Sequence, residues 1–232
     1  GDAYAVCFDT LLGLVRWIDV GGSRVAPHRT GVVAEREDGA VWAPSGDTFV
    51  STMALSASPV QATFEFHRPL GSGENRLEIR EQWVLEASRI EIESRIVNPT
   101  MEPLRFAELR YELGIAPTML EHWTRRMTEE HTQKGRLPAG FGPIRGADRI
   151  DWHTENGLGI GLTLEECALV TKWISGFVGV RHSPARTTIG LMRNVRLDPD
   201  DTLLTRFQLW PHRAPLSAMQ SPVTVTAART ER

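Results

Sequence analysis

Three charged residues two apart, Glu108, Arg110 and Glu112, offer the first chemistry in this chain. In a strand that spacing puts them on one face, opposite Ala107, Leu109, Tyr111 and Leu113. If the face meets solvent, they are ordinary surface charges, worth about 0.2–1 kcal/mol across strands. If it lines a site, the carboxylates can bind sugar hydroxyls or take a proton. Arg110 can then hold a carboxylate through two parallel hydrogen bonds. An Arg between two Glu residues also lowers their pKa values, which argues against either serving as a neutral-pH acid.

Seven histidines are scattered along the chain, and three of them stand beside useful neighbours. His153 follows Asp151 and Trp152, His182 lies in VRHSPAR, and His122 adjoins Trp123. The bland alternative for each is a surface or hydrogen-bonded imidazole. Trp42, Trp123 and Trp152 fall in loop-like stretches, where an indole can stack on the apolar face of a pyranose. Trp83 and Trp210 sit in strand alternation and read as core. Tyr111 would suit a lyase as acid or base, but alternation sends it inward with Leu109 and Leu113. Cys7 and Cys167 lie in apolar contexts and read as buried thiols, with a single disulfide as the alternative. No Cys/His spacing suggests a metal. No phosphate-binding glycine loop suggests a nucleotide, so no cofactor is expected.

The elements that must position these residues are strands. Ile90, Ile92 and Ile96 alternate with Glu91, Glu93 and Arg95, and Val60 to His67 alternates similarly. Further strands are expected at Tyr4 to Phe8 and Leu12 to Val20, as three stretches laid end to end from Arg76 to Pro117, and at Leu158 to Leu164, Leu169 to Ile174, Phe177 to Arg181, Thr187 to Met192 and Leu203 to Trp210. Gly159 and Gly161 read as strand glycines that leave room for a neighbour. One helix is expected, Thr118 to Thr132, with Thr118 and Glu121 forming a capping box. Ala26 to Asp47 and Gln133 to Arg149 read as loops. The fold class is therefore all-β: two large antiparallel sheets packed as a sandwich, with at most one or two short helices, in a single domain over 1–232.

The order LEIREQWVLEASRIEIESRIVNPTMEPLRFAELRY, then GLGIGLTL and LVTKWISG, then LDPDDTLLTRFQLWPH, resembles the galactose mutarotase-like (aldose 1-epimerase-like) superfamily. The resemblance implies a β-supersandwich with a sugar on its concave face. It also implies an epimerase reaction, in which a base takes the anomeric proton while an acid protonates the ring oxygen. On that basis His153 or His182 would be the acid and Glu108 or Glu112 the base. Arg110, Trp152, Trp123, Trp42 and His122 would bind the sugar. The chain departs from the pattern in three ways, one being that it is short for a free-standing epimerase. Leu109-Arg110-Tyr111 stands where the epimerases have a His ahead of a Tyr pair, and no Glu lies between Glu166 and Glu231 to supply their late base. Two alternatives follow: a non-catalytic glycan-binding or accessory sandwich of a larger carbohydrate enzyme, or a lyase acting on uronic-acid polymers.

The expected partner is a small sugar or glycan. The net charge of −3 gives no basic footprint for nucleic acid. No apolar run is long enough to span a membrane. The N-terminus lacks the pattern of a secretory signal, which slightly favours the cytoplasm. Only Lys134 and Lys172 are lysines, as suits a GC-rich, bacterial source. The oligomeric state is left open, with a homodimer allowed.

Overall fold

The computed structural model describes residues 4–9, 14–26, 30–44, 52–58, 61–114, 122–128, 131–136, 149–172, 174–183 and 186–213. All regular elements among them are strands, arranged in antiparallel sheets.

A three-stranded sheet holds β1 (Tyr4–Asp9), β2 (Leu14–Val20) and β3 (Ser23–Ala26). A five-stranded sheet contains β4 (Gly31–Arg36), β5 (Val41–Trp42), β10 (Leu104–Leu113), β16 (Gly179–Ser183) and β17 (Arg186–Leu197). Its order is β16-β17-β10-β4-β5. The largest sheet takes β6 (Thr52–Ala57), β7 (Gln61–Ser72), β8 (Asn75–Glu86), β9 (Ile90–Val97), β11 (His122–Thr128), β12 (His131–Arg136), β13 (Arg149–His153), β14 (Gly159–Leu169) and β18 (Thr202–His212). These run in the order β12-β11-β13-β14-β18-β9-β8-β7-β6, with the short β15 (Ile174–Ser175) beside β14.

One core joins the sheets. Ile90, Ile92 and Ile96 of β9 meet Phe106, Leu109 and Tyr111 of β10 and Phe207 and Leu209 of β18 in a single buried cluster. Tyr111 sets its ring edge-on to Phe207, centroids 4.8 Å apart. The opposite face of β9 is solvated. There Arg206 of β18 bridges Glu93 at 2.8 Å and Glu166 at 2.9 Å, ordinary exposed pairs of modest worth. Asn98 pins the turn that carries the chain from one sheet to the other. Its buried amide donates to the carbonyls of Glu102 (2.9 Å) and Leu197 (3.0 Å), and its Oδ1 accepts from the Thr100 N–H (3.0 Å) and hydroxyl (2.8 Å).

The expected helix at Thr118 to Thr132 is replaced by β11 and the start of β12; Thr118 to Glu121 lie outside the described residues. β11 pairs with β12 on one side and β13 on the other, so both edges of its backbone find ladder partners. Tertiary pairing of that kind outweighs a local capping signal, which is worth only about 1 kcal/mol. The loop readings also change. β4 and β5 occupy Gly31 to Trp42, and β12 reaches Arg136. Thr163 and Leu169 belong to one strand, β14, and the chain turns only after it. The glycine reading holds: a Cβ on Gly159 would lie 2.1 Å from the Trp152 carbonyl oxygen, so β13 and β14 meet there only without a side chain. Both cysteines are free. Cys167 is buried, and Cys7 is half-buried rather than enclosed. Among the described residues no helix is long and apolar enough to cross a membrane.

Candidate functional site

β10 lies at the middle of the five-stranded sheet, flanked by β17 and β4. Its apolar side chains do not keep strict alternation. Phe106 and Leu109 both enter the core, three residues apart. The extra residue is absorbed by a shift of register against β4 between Phe106 and Glu108. That bulge places Glu108, Arg110 and Glu112 together on the face away from Leu109, Tyr111 and Leu113.

The register then supplies their neighbours. Glu108 stands opposite Glu35 on β4 and opposite Arg193 on β17. Glu112 stands opposite Thr188 of β17, which in turn pairs with Arg181 of β16. Two carboxylates directly opposed across strands repel. Arg110 relieves this: its Nη1 donates to Glu35 at 2.8 Å and approaches Glu108 at 3.5 Å, while its Nε donates to Glu112 at 3.3 Å. Glu108 also accepts from the Arg193 Nε at 3.2 Å and from an Arg181 guanidinium nitrogen in close contact. The result is a neutral lattice of Glu35, Glu108, Glu112, Arg110, Arg181 and Arg193.

Burial alone would push the Glu108 carboxyl up, since it is only 7 % exposed. The hydrogen bonds and charges of Arg181 and Arg193 outweigh that and hold it below the usual carboxylate range. Burial works against the charged form of Arg110 too, but Glu35 and Glu112 raise its pKa further. Both groups are fixed in their charged forms at neutral pH.

The remaining expected site residues divide between the two larger sheets. His153 and Trp152 are on β13, and His122 and Trp123 on β11, so all four belong to the largest sheet. The ladder sets His122 opposite His153 and Trp123 opposite Trp152. Trp152 is a correction: it is a strand residue, fully buried in the core, where its ring cannot stack on a sugar. His153 is half-buried, with its Nδ1 3.1 Å from the Thr154 carbonyl oxygen. The side chains of His122, Trp123 and His182 lie outside the described residues. The His182 backbone sits on β16, the edge strand, one position from Arg181. Trp42 is half-buried on β5 rather than in a loop, edge-on to Phe106 at 5.5 Å. Tyr111 is fully buried, and burial followed by the Glu81 charge raises its pKa well above 10. Neither condition suits a lyase base. Among the described residues no group of His, Cys, Asp and Glu could hold a metal ion.

Sequence reasoning missed Glu35, Arg181 and Arg193. Glu35 follows the alternation Val33, Glu35 within a stretch read as loop. The two arginines become neighbours of Glu108 only through pairings more than 70 residues apart in sequence.

No protein-family model and no curated protein matches this chain. Solved structures do match its fold. A glycoside hydrolase family 97 enzyme from Pseudoalteromonas sp. strain K8 superposes with TM-score 0.56 at 8% identity, over 91% of this chain and 34% of that one. The same family 97 enzyme solved with acarbose gives 0.55 over the same shares. The family 36 alpha-galactosidase AgaA from Geobacillus stearothermophilus gives 0.51 at 15% identity, over 82% of this chain and 31% of that one. The chain thus spans about a third of the length of these enzymes. The β-sandwich fold is one that occurs within glycoside hydrolases.

Proposed function

We propose that this chain is the sandwich unit of a larger carbohydrate-active enzyme, and that it binds saccharide without turning it over. The observation that carries this reading is the locked Arg–Glu lattice on the outer face of the five-stranded sheet. Each carboxylate in it already answers a guanidinium, and Glu108 is held ionised. A carboxylate has about four lone-pair sites and a guanidinium five N–H donors, so the lattice keeps capacity for hydroxyls after its internal pairs are made. A proton-transfer site needs the opposite, an acid and a base with pKa values pushed apart near the working pH.

Of the two expected acids, His182 shares the five-stranded sheet with the carboxylates, its side chain outside the described residues, and His153 does not. Glu108 and Glu112 sit on β10 of the five-stranded sheet, and His153 sits on β13 of the other. The match to about a third of each glycoside hydrolase chain further supports a unit within a larger enzyme. The family 97 enzyme has been solved with acarbose and with panose, which makes these the first saccharides to try. Titration of the chain with each, followed by calorimetry, alongside polarimetry with aldoses, tests the reading. Saturable binding that weakens in Arg110→Gln, with no acceleration of anomer exchange, is the expected outcome. Accelerated exchange would replace the reading with the epimerase one.

A further inference from the structure

Three connections gather at one end of the sandwich: the β4–β5 hairpin, the β7–β8 turn and the entry to β10. Between them lies a cavity of about 290 Å³ lined by Arg36, Trp42, Asn75, Pro103, Arg105 and Phe106, among others. Its floor is apolar. Trp42 packs edge-on against Phe106, and Leu104 and Phe106 are themselves buried. The β5 register pairs Trp42 with Ala34, a core residue, and Val41 with Glu35. Trp42 therefore belongs to the inner side of the sheet, and this cavity is separate from the lattice around Glu108.

Gly71 makes room for the indole. A Cβ there would stand 2.9 Å from Trp42 Cε3, and the φ of +112° is one that few other residues adopt. The Arg36 guanidinium lies over the ring at 5.4 Å, tied to Asp38 at 3.4 Å. The rim is polar and of mixed sign. Arg36 and Arg105 offset Glu37 and Asp38, so a net charge on a ligand gains nothing here. Asn75, Glu37 and Arg105 are exposed and make no side-chain hydrogen bond or ion pair among the described residues.

An apolar floor with a half-buried indole, a neutral rim of free amide, guanidinium and carboxylate, and a volume at the small end of ligand pockets suit one kind of molecule. It has one apolar face, several hydroxyls and no net charge. We infer that this cavity is a second saccharide subsite, which takes a single neutral sugar residue with its apolar face toward Trp42 and Pro103. Asn75 and Arg105 hydrogen-bond its hydroxyls, and the half-buried Arg36 side chain moves aside from the ring.

Titration of the ¹⁵N-labelled chain with panose tests this independently of the sheet-face reading. The Trp42 indole N–H and the Asn75 side-chain amide are expected to shift saturably, in the wild type and equally in Arg110→Gln. Asn75→Ala and Arg105→Ala, both at exposed positions, are expected to weaken that response about fivefold each, the worth of about one hydrogen bond. Loss of binding in Trp42→Ala counts in favour only if its amide spectrum remains that of the folded chain. Shifts confined to β17 and to Glu108, Arg110 and Glu112 of β10 would overturn the subsite and leave the lattice reading standing. Trp42 shifts unaffected by Asn75→Ala and Arg105→Ala would also overturn it.

Discussion

Replacing Glu108 by Gln removes one negative charge from a nearly enclosed site faced by Arg181, Arg193 and Arg110. Charge-assisted hydrogen bonds contribute about 1.5–3 kcal/mol each when buried. Arg181 and Arg193 are 35% and 44% exposed, so water screens much of that. The amide also still accepts one hydrogen bond. A net loss of about 1–2 kcal/mol at pH 7 follows, or roughly 3–6 °C in Tm for a chain of this size. The sign of the pH dependence is fixed. The folded-state pKa of Glu108 is depressed. Its contribution is therefore fully present above the unfolded value, ~4.3, and is lost as pH falls through the folded value. Urea melts of wild type and Glu108→Gln at a series of pH values read this directly. The gap between them should hold from pH 7 to about 5, begin to close near ~4.3, and vanish once pH is below the depressed folded value. A gap that stays constant down to that pH, or the absence of any gap at pH 7, would refute the assignment of Glu108 as an ionised member of the lattice.

Three further outcomes are expected. Asn98→Ala leaves the Glu102 and Leu197 carbonyls and the Thr100 N–H without their buried partner, and should cost about 2–4 kcal/mol in denaturant unfolding. Arg68 and Glu81 form a 2.6 Å ion pair enclosed in the core. Arg68→Met alone should destabilise by about 3–5 kcal/mol by stranding the carboxylate, while Arg68→Met with Glu81→Leu should recover most of that; equal losses in single and double variants would contradict it. Burial raises the Cys167 thiol to about 12, so it should resist a thiol reagent at pH 8 in the native chain and react on unfolding.

Legibility in the sequence followed physical locality. Strands with a solvated face, such as β9, announce themselves because alternation is a property of neighbours in the chain. The buried face of β10 was readable through Leu109, Tyr111 and Leu113, and so was the charged face opposite. β11 was not readable. The residues just ahead of it, Thr118 and Glu121, carry a helix-start signal, and pairing with β12 and β13 makes His122 to Thr128 a strand. Trp152 was misplaced for the same reason: β13 acquires its burial from β11 and β14, not from its own five residues. The lattice was half visible. Glu108, Arg110 and Glu112 share a strand, whereas Glu35, Arg181 and Arg193 reach them by register alone.

On the proposed reading, the outer face of the five-stranded sheet holds a saccharide with its charges already paired. Amide shift mapping during titration with acarbose, in wild type and Arg110→Gln, is the deciding measurement. Saturable shifts at Glu35, Glu108, Arg110, Glu112 and Arg193 that fade in the variant are expected. Saturable binding whose shifts fall on β11 and β13 and leave β10 still would contradict it, as would no binding of acarbose or panose at millimolar concentration.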